Sequence, residues 1–140
     1  MDNTQIKQFI EDGHLTVGIE FGSTRIKAIA IDDQCQTLAT GSFEWENSYR
    51  NGYWTYSMND AWVGIQKAYG AMTQELKEKY DATVKQLASL GISGMMHGYL
   101  PFDDNDDLLV PFRTWRNNNA NKAAEILREG FQVNIPERWS

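Results

Sequence analysis

The segment LTVGIEFGSTRIKAIAI, Leu15–Ile31, decides the fold of this chain. Its first part, Leu15–Phe21, is rich in β-branched residues and predicts a strand. Gly22–Thr24 follows as a tight turn of small residues. Arg25–Ile31 then alternates between two faces, with Ile26 and every second residue after it on one face, which predicts a second strand. The two strands therefore form a hairpin.

A third strand and a preceding helix extend this hairpin. Asp32–Gln34 predicts an exit turn and Gln36–Glu46 a third strand, so the opening of the chain is expected to form a three-stranded antiparallel meander with short turns. Upstream of the meander, Thr4–Asp12 predicts a short helix that ends near Gly13.

A long amphipathic helix is predicted after the meander. Tyr49–Ser57 is aromatic and loop-like, and Asn59 or Asp60 is the expected N-cap of a helix that continues to about Tyr80. Apolar residues recur along it at intervals of three and four. They are Trp62, Ile65, Tyr69, Met72 and Leu76. We expect this stripe, including its aromatic residues, to pack on the meander as core.

The second half of the chain is predicted to add a strand, a hairpin and a helix. Leu87–Ser93 predicts a strand, which can lie parallel to an earlier one because a helix separates the two. Met95–Gly98 is a loop at the end of that strand. The later elements are a hairpin of Tyr99–Phe102 and Leu108–Phe112 around Asp103–Asp107, a helix Ala120–Gly130 capped by Asn119, and a tail that contains Pro136.

The order of these elements indicates an α/β fold. Three strands, a helix and a strand, followed by further strand and a C-terminal helix, differ from the strand–helix alternation of dinucleotide-binding folds. The order matches the opening of a ribonuclease-H-like half, the unit that actin-like ATPases use twice. The sequence therefore predicts an incomplete N-terminal half of this fold over residues 15–140, with residues 1–14 as an N-terminal extension that carries the short helix.

Composition excludes several classes of function. The net charge is −6 and the thirteen basic residues are scattered, which argues against nucleic acid as a partner. No apolar run approaches the ~20 residues that cross a bilayer, so we expect no membrane partner. Met1–Glu11 lacks the features of a signal peptide, and the single cysteine, Cys35, cannot form an internal disulfide. Together these features favour the cytoplasm.

The first candidate site is the turn between the first two strands. Small residues let a backbone approach phosphate closely, and the turn amides with the Ser23 and Thr24 hydroxyls can donate to phosphate oxygens. Glu20, just before the turn, can hold Mg²⁺ directly or through water. The turn by itself equally fits a plain hairpin with a charged residue at its entrance, because a Gly-containing turn is weak support alone.

This segment resembles the first phosphate-binding motif of the FGGY carbohydrate kinases, Asp-x-Gly-Thr-(Ser/Thr)-x-x-(Lys/Arg). The match falls on Glu20, Gly22, Ser23, Thr24 and Lys27. The resemblance implies that Gly22, Ser23, Thr24 and Lys27 bind the phosphates of ATP and that Glu20 serves the magnesium ion. Glu20 stands where the family has Asp, and its longer side chain moves the metal site outward.

A second stretch, Gly91–Gly98 with the sequence GISGMMHG, is similar to one in xylulose kinases of this family, Gly-Ile-(Ala/Ser)-Gly-Gln-Met-His-Gly. The resemblance implies that Met96 packs on the carbon face of a sugar and that His97 hydrogen-bonds a sugar hydroxyl. Met95 stands where Gln is common in these kinases, so the contacts that this Gln makes would be lost. The alternative is a structural histidine satisfied within its own loop.

A third stretch, Pro111–Asn119, resembles the Pro…Trp-Asn-Asp of xylulose kinases. Trp115 aligns with the family's Trp, while Arg116 and Asn117 replace Asn-Asp. An aromatic face with Arg and Asn donors suits a sugar, which implicates Trp115 and Arg116 in binding. A core Trp with a helix-capping cluster is the alternative. Because this dipeptide is replaced, the resemblance does not decide whether the substrate is a ketose, an aldose or a polyol.

The acidic run Asp103–Asp107 could suggest a calcium loop. It lacks the Gly and Glu that an EF-hand loop needs, since Leu108 and Thr114 occupy those positions. We therefore expect a solvated turn.

The resemblance implies an ATP- and Mg²⁺-dependent sugar kinase. FGGY kinases are longer, two-domain enzymes whose catalytic Asp lies downstream, and no residue here matches it, so the chain is expected to be an inactive N-terminal fragment. Two alternatives remain: another actin-like ATPase, or a non-catalytic sugar-binding regulator of the same fold. The oligomeric state, including a homodimer, is left open.

Overall fold

Helices and strands follow one another along the chain as one helix, five strands, a long helix, one strand and a last helix. The computed structural model describes residues 1–131. The elements are α1 (Asn3–Glu11), β1 (Thr16–Phe21), β2 (Arg25–Ile31), β3 (Thr37–Glu44), β4 (Ser48–Arg50), β5 (Tyr53–Thr55), α2 (Met58–Tyr80), β6 (Ser89–Gly94) and α3 (Asn121–Phe131). The predicted tail with Pro136 lies outside the described residues.

Four strands form one mixed sheet in the order β3-β2-β1-β6. The β1–β2 and β2–β3 pairs are antiparallel, which confirms the predicted meander. The β1–β6 pair is parallel, as expected for a strand that a helix separates from the meander. The observed bounds of β2 are those that the alternating sequence predicted.

The core lies between this sheet and α2. On β2, Ile26, Ala28 and Ala30 are buried and the residues between them are not, as a strand with one covered face requires. α1 belongs to the same core, because Ile10 is fully buried with the others. Helix α2 lies over β3 and β2, and its buried residues are Gly64, Ala68, Met72 and Leu76.

Gly41 on β3 permits the close approach of α2. A Cβ on this residue would lie 2.0 Å from the carbonyl oxygen of Ala68 and 2.5 Å from the backbone nitrogen of Met72. Both neighbours are backbone atoms, so they cannot rotate away. Only glycine therefore fits this point of contact between sheet and helix.

The prediction that Trp62 belongs to the core is wrong, since its side chain is 63% exposed. The buried stripe of α2 runs through the small residues Gly64 and Ala68. Trp62 precedes Gly64 by two residues and so lies on nearly the opposite side of the helix. Ile65 and Tyr69 flank the stripe and are partly buried against the core.

The N-cap of α2 is Ser57 rather than Asn59 or Asp60. Its hydroxyl accepts a hydrogen bond from the backbone nitrogen of Asp60 at 3.2 Å. The helix therefore starts earlier than predicted, because Ser57 supplies an acceptor to a first-turn amide.

The expectation of a loop over Tyr49–Ser57 is also wrong, because β4 and β5 pair as an antiparallel hairpin. Asn51 and Gly52 form its turn with φ values of 50° and 83°. Such left-handed backbone at both central positions is what Asn-Gly favours in a two-residue hairpin turn. The dipeptide was the available signal for this hairpin.

The acidic run folds as a turn within a hairpin-like loop. Isolated bridges pair Tyr99 with Arg113 and Phe102 with Leu108. The carboxylate of Asp103 accepts backbone hydrogen bonds from Asp107 and Asn105, each at 2.9 Å, and these bonds lower its pKa. The run thus satisfies its own turn, as expected for a solvated loop.

Strand β6 is only partly covered. Its register with β1 places Leu90 beside Val17 and Ile92 beside Ile19, on the face that α2 covers elsewhere. Leu90 is 54% exposed and Ile92 is 70% exposed, although Val17 and Ile19 are buried. The residues of helix α3 are exposed as far as Gly130. Among the described residues, no helix is long and apolar enough to cross a membrane.

An ion-pair cluster at Asp81 joins the end of α2 to α1. The Asp81 carboxylate accepts from the amine of Lys7 at 2.7 Å and also from Lys77. These bonds, led by the one from Lys7, lower the pKa of Asp81 to about 2. Asp81 is also the C-cap of α2, with a left-handed φ of 53° that Asp and Asn tolerate.

We predict that Gly41→Ala lowers the free energy of unfolding by about 3 kcal/mol, because the methyl group would collide with backbone that cannot yield. Gly70→Ala is the matched control. It lies on the exposed side of α2 with nothing within 4 Å of the added Cβ, and it should raise stability by about 0.5–1 kcal/mol. Urea unfolding of the chain measures both. Equal effects would contradict the proposed contact.

We predict that Asp81→Asn destabilises the chain at neutral pH and that the difference disappears in acid. The folded-state pKa of Asp81 is depressed, so its contribution is fully present above the unfolded value of about 4 and is lost as the pH falls through the folded value of about 2. Urea unfolding at pH 7, 4 and 2.5 tests this window. Exposed Asp33→Asn, without an ion pair among the described residues, serves as control.

Candidate functional site

The β1–β2 turn, Gly22–Thr24, is held from behind by two aromatic residues. The indole nitrogen of Trp45 donates to the carbonyl of Gly22 at 2.8 Å, and the Tyr56 hydroxyl donates to the carbonyl of Ser23 at 2.7 Å. The backbone nitrogen of Trp45 donates to the carbonyl of Thr24 at 3.1 Å. All three carbonyl oxygens of the turn are therefore occupied by donors on the protein side.

The donors of Ser23 and Thr24 in this turn are available to a ligand. Within the part of the chain that the structure describes, the backbone amides and hydroxyls of Ser23 and Thr24 make no hydrogen bond, and both residues are exposed. Gly22 keeps the turn narrow, since a Cβ there would lie 3.0 Å from the carbonyl of Arg25. Free amides in a tight turn form an anion-binding concavity. The turn can therefore accept phosphate oxygens.

Glu20 lies beside this turn and faces solvent. A Cβ built on Gly22 would lie 3.6 Å from Oε1 of Glu20, while Oε2 lies 3.4 Å from the Lys27 amine. The Glu20 and Lys27 side chains are each about half exposed, and the two residues are cross-strand partners. Both line an open cleft of about 980 Å³ along the sheet. Glu20 therefore does not point into the hydrophobic interior.

The Glu20 carboxylate fits a magnesium ion that is bound mainly by phosphate and water. Mg²⁺ keeps several waters and commonly takes only one or two carboxylates from the protein. Among the described residues, no group of three His, Cys, Asp or Glu side chains forms a complete metal cage. A lone exposed carboxylate next to free turn amides is consistent with such a shared site.

A second cleft, of about 540 Å³, lies where the loop after β6 meets the loop after the acidic turn. It is lined by Tyr53, His97, Gly98, Tyr99, Arg113, Thr114, Asn117, Asn119 and Ala120. Of the predicted sugar-binding residues, only His97 is among them. Tyr53 and Arg113 were missed by sequence reasoning, Tyr53 because its hairpin was taken for a loop.

Asn117 fixes one wall of this second cleft. Its side-chain oxygen accepts from the backbone nitrogen of Trp54 at 2.8 Å, and its amide nitrogen donates to the carbonyls of Trp54 at 2.7 Å and Thr114 at 3.0 Å. The side chain thus pairs with the backbone of β5 as a neighbouring strand would. Its polar atoms are used for structure.

The other three predicted sugar-binding residues lie outside the lining of the second cleft. Met96 is 85% exposed and Trp115 is 61% exposed. The Arg116 guanidinium donates to the Asn47 side chain at 2.9 Å and lies 4.4 Å from the ring of Trp54. The core alternative for Trp115 therefore does not describe it, and its sugar contact stays a prediction.

An aromatic cluster connects the turn to the second cleft. The Trp45 and Tyr56 rings stack with centroids 4.4 Å apart, and Tyr56 lies 5.5 Å from Phe112. Phe112 in turn packs on Gly98, where an added Cβ would lie 2.6 Å from its ring. The residue after Phe112 and the residue before Gly98 both line the second cleft. The two candidate binding regions are therefore joined through packed side chains.

The sheet order, the meander and the parallel β6 define the ribonuclease-H-like fold of the actin-like ATPases, here as a partial N-terminal half. The sequence profile of the FGGY family of carbohydrate kinases, N-terminal domain, matches residues 15–138. The chain belongs to this family.

Individual relatives agree with this assignment. The chain is 24% identical to a xylulose kinase of Lactococcus lactis, in an alignment that covers 89% of the chain and 29% of the relative. Its fold is similar to those of a xylulose kinase of Brucella ovis (TM-score 0.70, 22% identity, 85% of this chain and 24% of that one) and a gluconate kinase of Lactobacillus acidophilus (TM-score 0.69, 19% identity, 84% and 23%). The chain thus spans less than a third of the length of these relatives.

We predict that Tyr56→Phe lowers the free energy of unfolding by about 1–3 kcal/mol, because it leaves the Ser23 carbonyl without its donor. It should also speed hydrogen exchange of the Gly22 and Trp45 amides, whose hydrogen bonds close the turn. Tyr49→Phe is the matched control, since Tyr49 is 63% exposed and its hydroxyl has no partner among the described residues. Urea unfolding and exchange detected by NMR measure these effects. Unchanged exchange in Tyr56→Phe would show that the bond does not hold the turn.

Proposed function

We propose that the whole protein carrying this chain transfers the γ-phosphoryl group of ATP to a hydroxyl group of a sugar. The observation that carries the proposal is the β1–β2 turn, whose carbonyls are held inward while the amides and hydroxyls of Ser23 and Thr24 stay free beside Glu20. Phosphoryl transfer depends on positioning and on neutralising charge more than on covalent chemistry by the protein. A turn built to present donors suits that task.

Ser23 and Thr24 would bind the phosphate oxygens through backbone and hydroxyl donors. Gly22, whose amide donates to the Arg25 carbonyl, would let the phosphate approach the turn closely. Lys27, the partner of Glu20 on the neighbouring strand, would add a positive charge beside the phosphates. In the structure its amine pairs with the Glu20 carboxylate. Glu20 would hold Mg²⁺, which when bound supplies charge neutralisation at the phosphates. An ion at Glu20 would also release Lys27 toward the nucleotide, because the carboxylate then has another partner.

The sugar would lie against the second cleft. His97 lines that cleft and is exposed, so its imidazole can hydrogen-bond a hydroxyl. Met96, Trp115 and Arg116 lie on the same loops and would extend the sugar surface beyond the cleft. Relatives named as xylulose and gluconate kinases make a small sugar or sugar derivative the expected class of acceptor.

Residues 15–140 would form the N-terminal part of the first kinase domain, with the general base supplied by chain beyond it. Among residues 1–131, neither Asp nor Glu lines the second cleft, so this described part offers no carboxylate base there. The isolated chain should therefore show no turnover, and domain closure in the whole protein would exclude water as a competing acceptor.

We predict that Glu20→Gln in the whole protein lowers kcat by at least about 100-fold, because a metal ligand that stabilises transition-state charge is lost. ADP release in the presence of a panel of sugars measures the rate. Glu125→Gln, an exposed change on α3, removes the same charge and should leave the rate unchanged. Sugar-stimulated ADP release that survives Glu20→Gln would contradict the assigned role, and sugar binding without any turnover would contradict the kinase.

A further inference from the structure

The guanidinium of Arg113 lines the second cleft without a polar partner. Its central carbon lies 3.2 Å from the centroid of the Tyr53 ring. Its Nη1 atom is enclosed and makes no hydrogen bond. Across residues 1–131, the side chain takes part in no ion pair and no hydrogen bond. The positive charge is therefore held in place by an aromatic ring alone.

Such an arrangement is costly unless a ligand completes it. A guanidinium has five N–H donors, and desolvating them without acceptors is unfavourable. The Tyr53 ring offsets part of the charge through a cation–π contact but accepts no conventional hydrogen bond. Arg116, three residues later, shows the contrast, since its Nη1 donates to Asn47. Arg113 is thus the arginine of this loop whose hydrogen bonds are missing.

Arg113 gives the described lining of the second cleft a positive charge. This lining, within the part of the chain that the structure describes, includes neither Asp nor Glu, although the chain as a whole carries a net charge of −6. Binding a neutral sugar does not require this positive charge, whereas an anion is attracted to it.

We infer that the acceptor is a sugar acid, whose carboxylate binds Arg113 while its hydroxyls lie toward His97. The inference rests on the proposed kinase function and names the substrate class of that site. With Nη1 enclosed, Nη2 and Nε are the donors left for the ligand, and this edge of a guanidinium binds a carboxylate through two parallel hydrogen bonds. One guanidinium balances the single charge of a carboxylate, while a phosphate ester carries nearly two.

The test compares D-xylonate with xylitol, which differ only in whether carbon 1 is a carboxylate or an alcohol. For the whole protein we expect kcat/KM in ADP release to favour the acid by at least about 10-fold. Arg113→Gln should remove this preference, because it lowers kcat/KM for xylonate more than for xylitol. Arg113→Lys, which keeps the charge but not the fork, should restore part of it. Arg128→Gln, an exposed change on α3, is the control for net charge.

Isothermal titration calorimetry of the same proteins with the same two ligands separates this inference from the kinase proposal. Arg113-dependent binding of the acid without turnover would support the sugar-acid site and overturn the kinase. Turnover of xylitol with no Arg113-dependent preference for xylonate would overturn the sugar-acid site and leave the kinase standing. Preferred binding of D-xylulose 5-phosphate over xylonate, lost in Arg113→Gln, would also overturn the carboxylate assignment. Thermal unfolding of each variant confirms that it is folded.

Discussion

Three hydrogen bonds from Trp45 and Tyr56 hold the carbonyl oxygens of the β1–β2 turn inward. A peptide unit whose oxygen is held inward presents its N–H group outward. The sheet supplies the rest of the site from the same register, since Glu20 and Lys27 are neighbours on adjacent strands. The outward-facing donors of this turn therefore depend on two aromatic residues that lie behind it.

The same aromatic residues lie between the two candidate binding regions. Tyr56 follows the β4–β5 hairpin, whose Tyr53 supports Arg113, and its ring contacts Phe112 next to that arginine. Asn117 ties the far side of the same loop to Trp54. The hairpin is thus the common support for the turn and for the second cleft. A shift of the hairpin would move donors in both regions together.

Much of the fold could be predicted from the sequence, because β1, β2 and α2 carry their periodicity locally. The β4–β5 hairpin could have been predicted too, since Asn51-Gly52 is a strong turn signal that the surrounding aromatic residues obscured. The burial of Gly64 rather than Trp62 could not, because it depends on packing against Ile26 and Phe43 of distant strands. In the site, the motif indicated Glu20 at the entrance of the turn, where the structure has it exposed. Trp45, Tyr56 and Arg113 act through contacts between distant positions, which one sequence does not reveal.

The partly covered β6 has a practical consequence for anyone handling this chain. Its outer backbone groups are unpaired within the described sheet, and Leu90 and Ile92 are bare beside it. Such an edge accepts an added strand from any neighbour that presents one. At high concentration the purified chain should therefore associate through this strand edge.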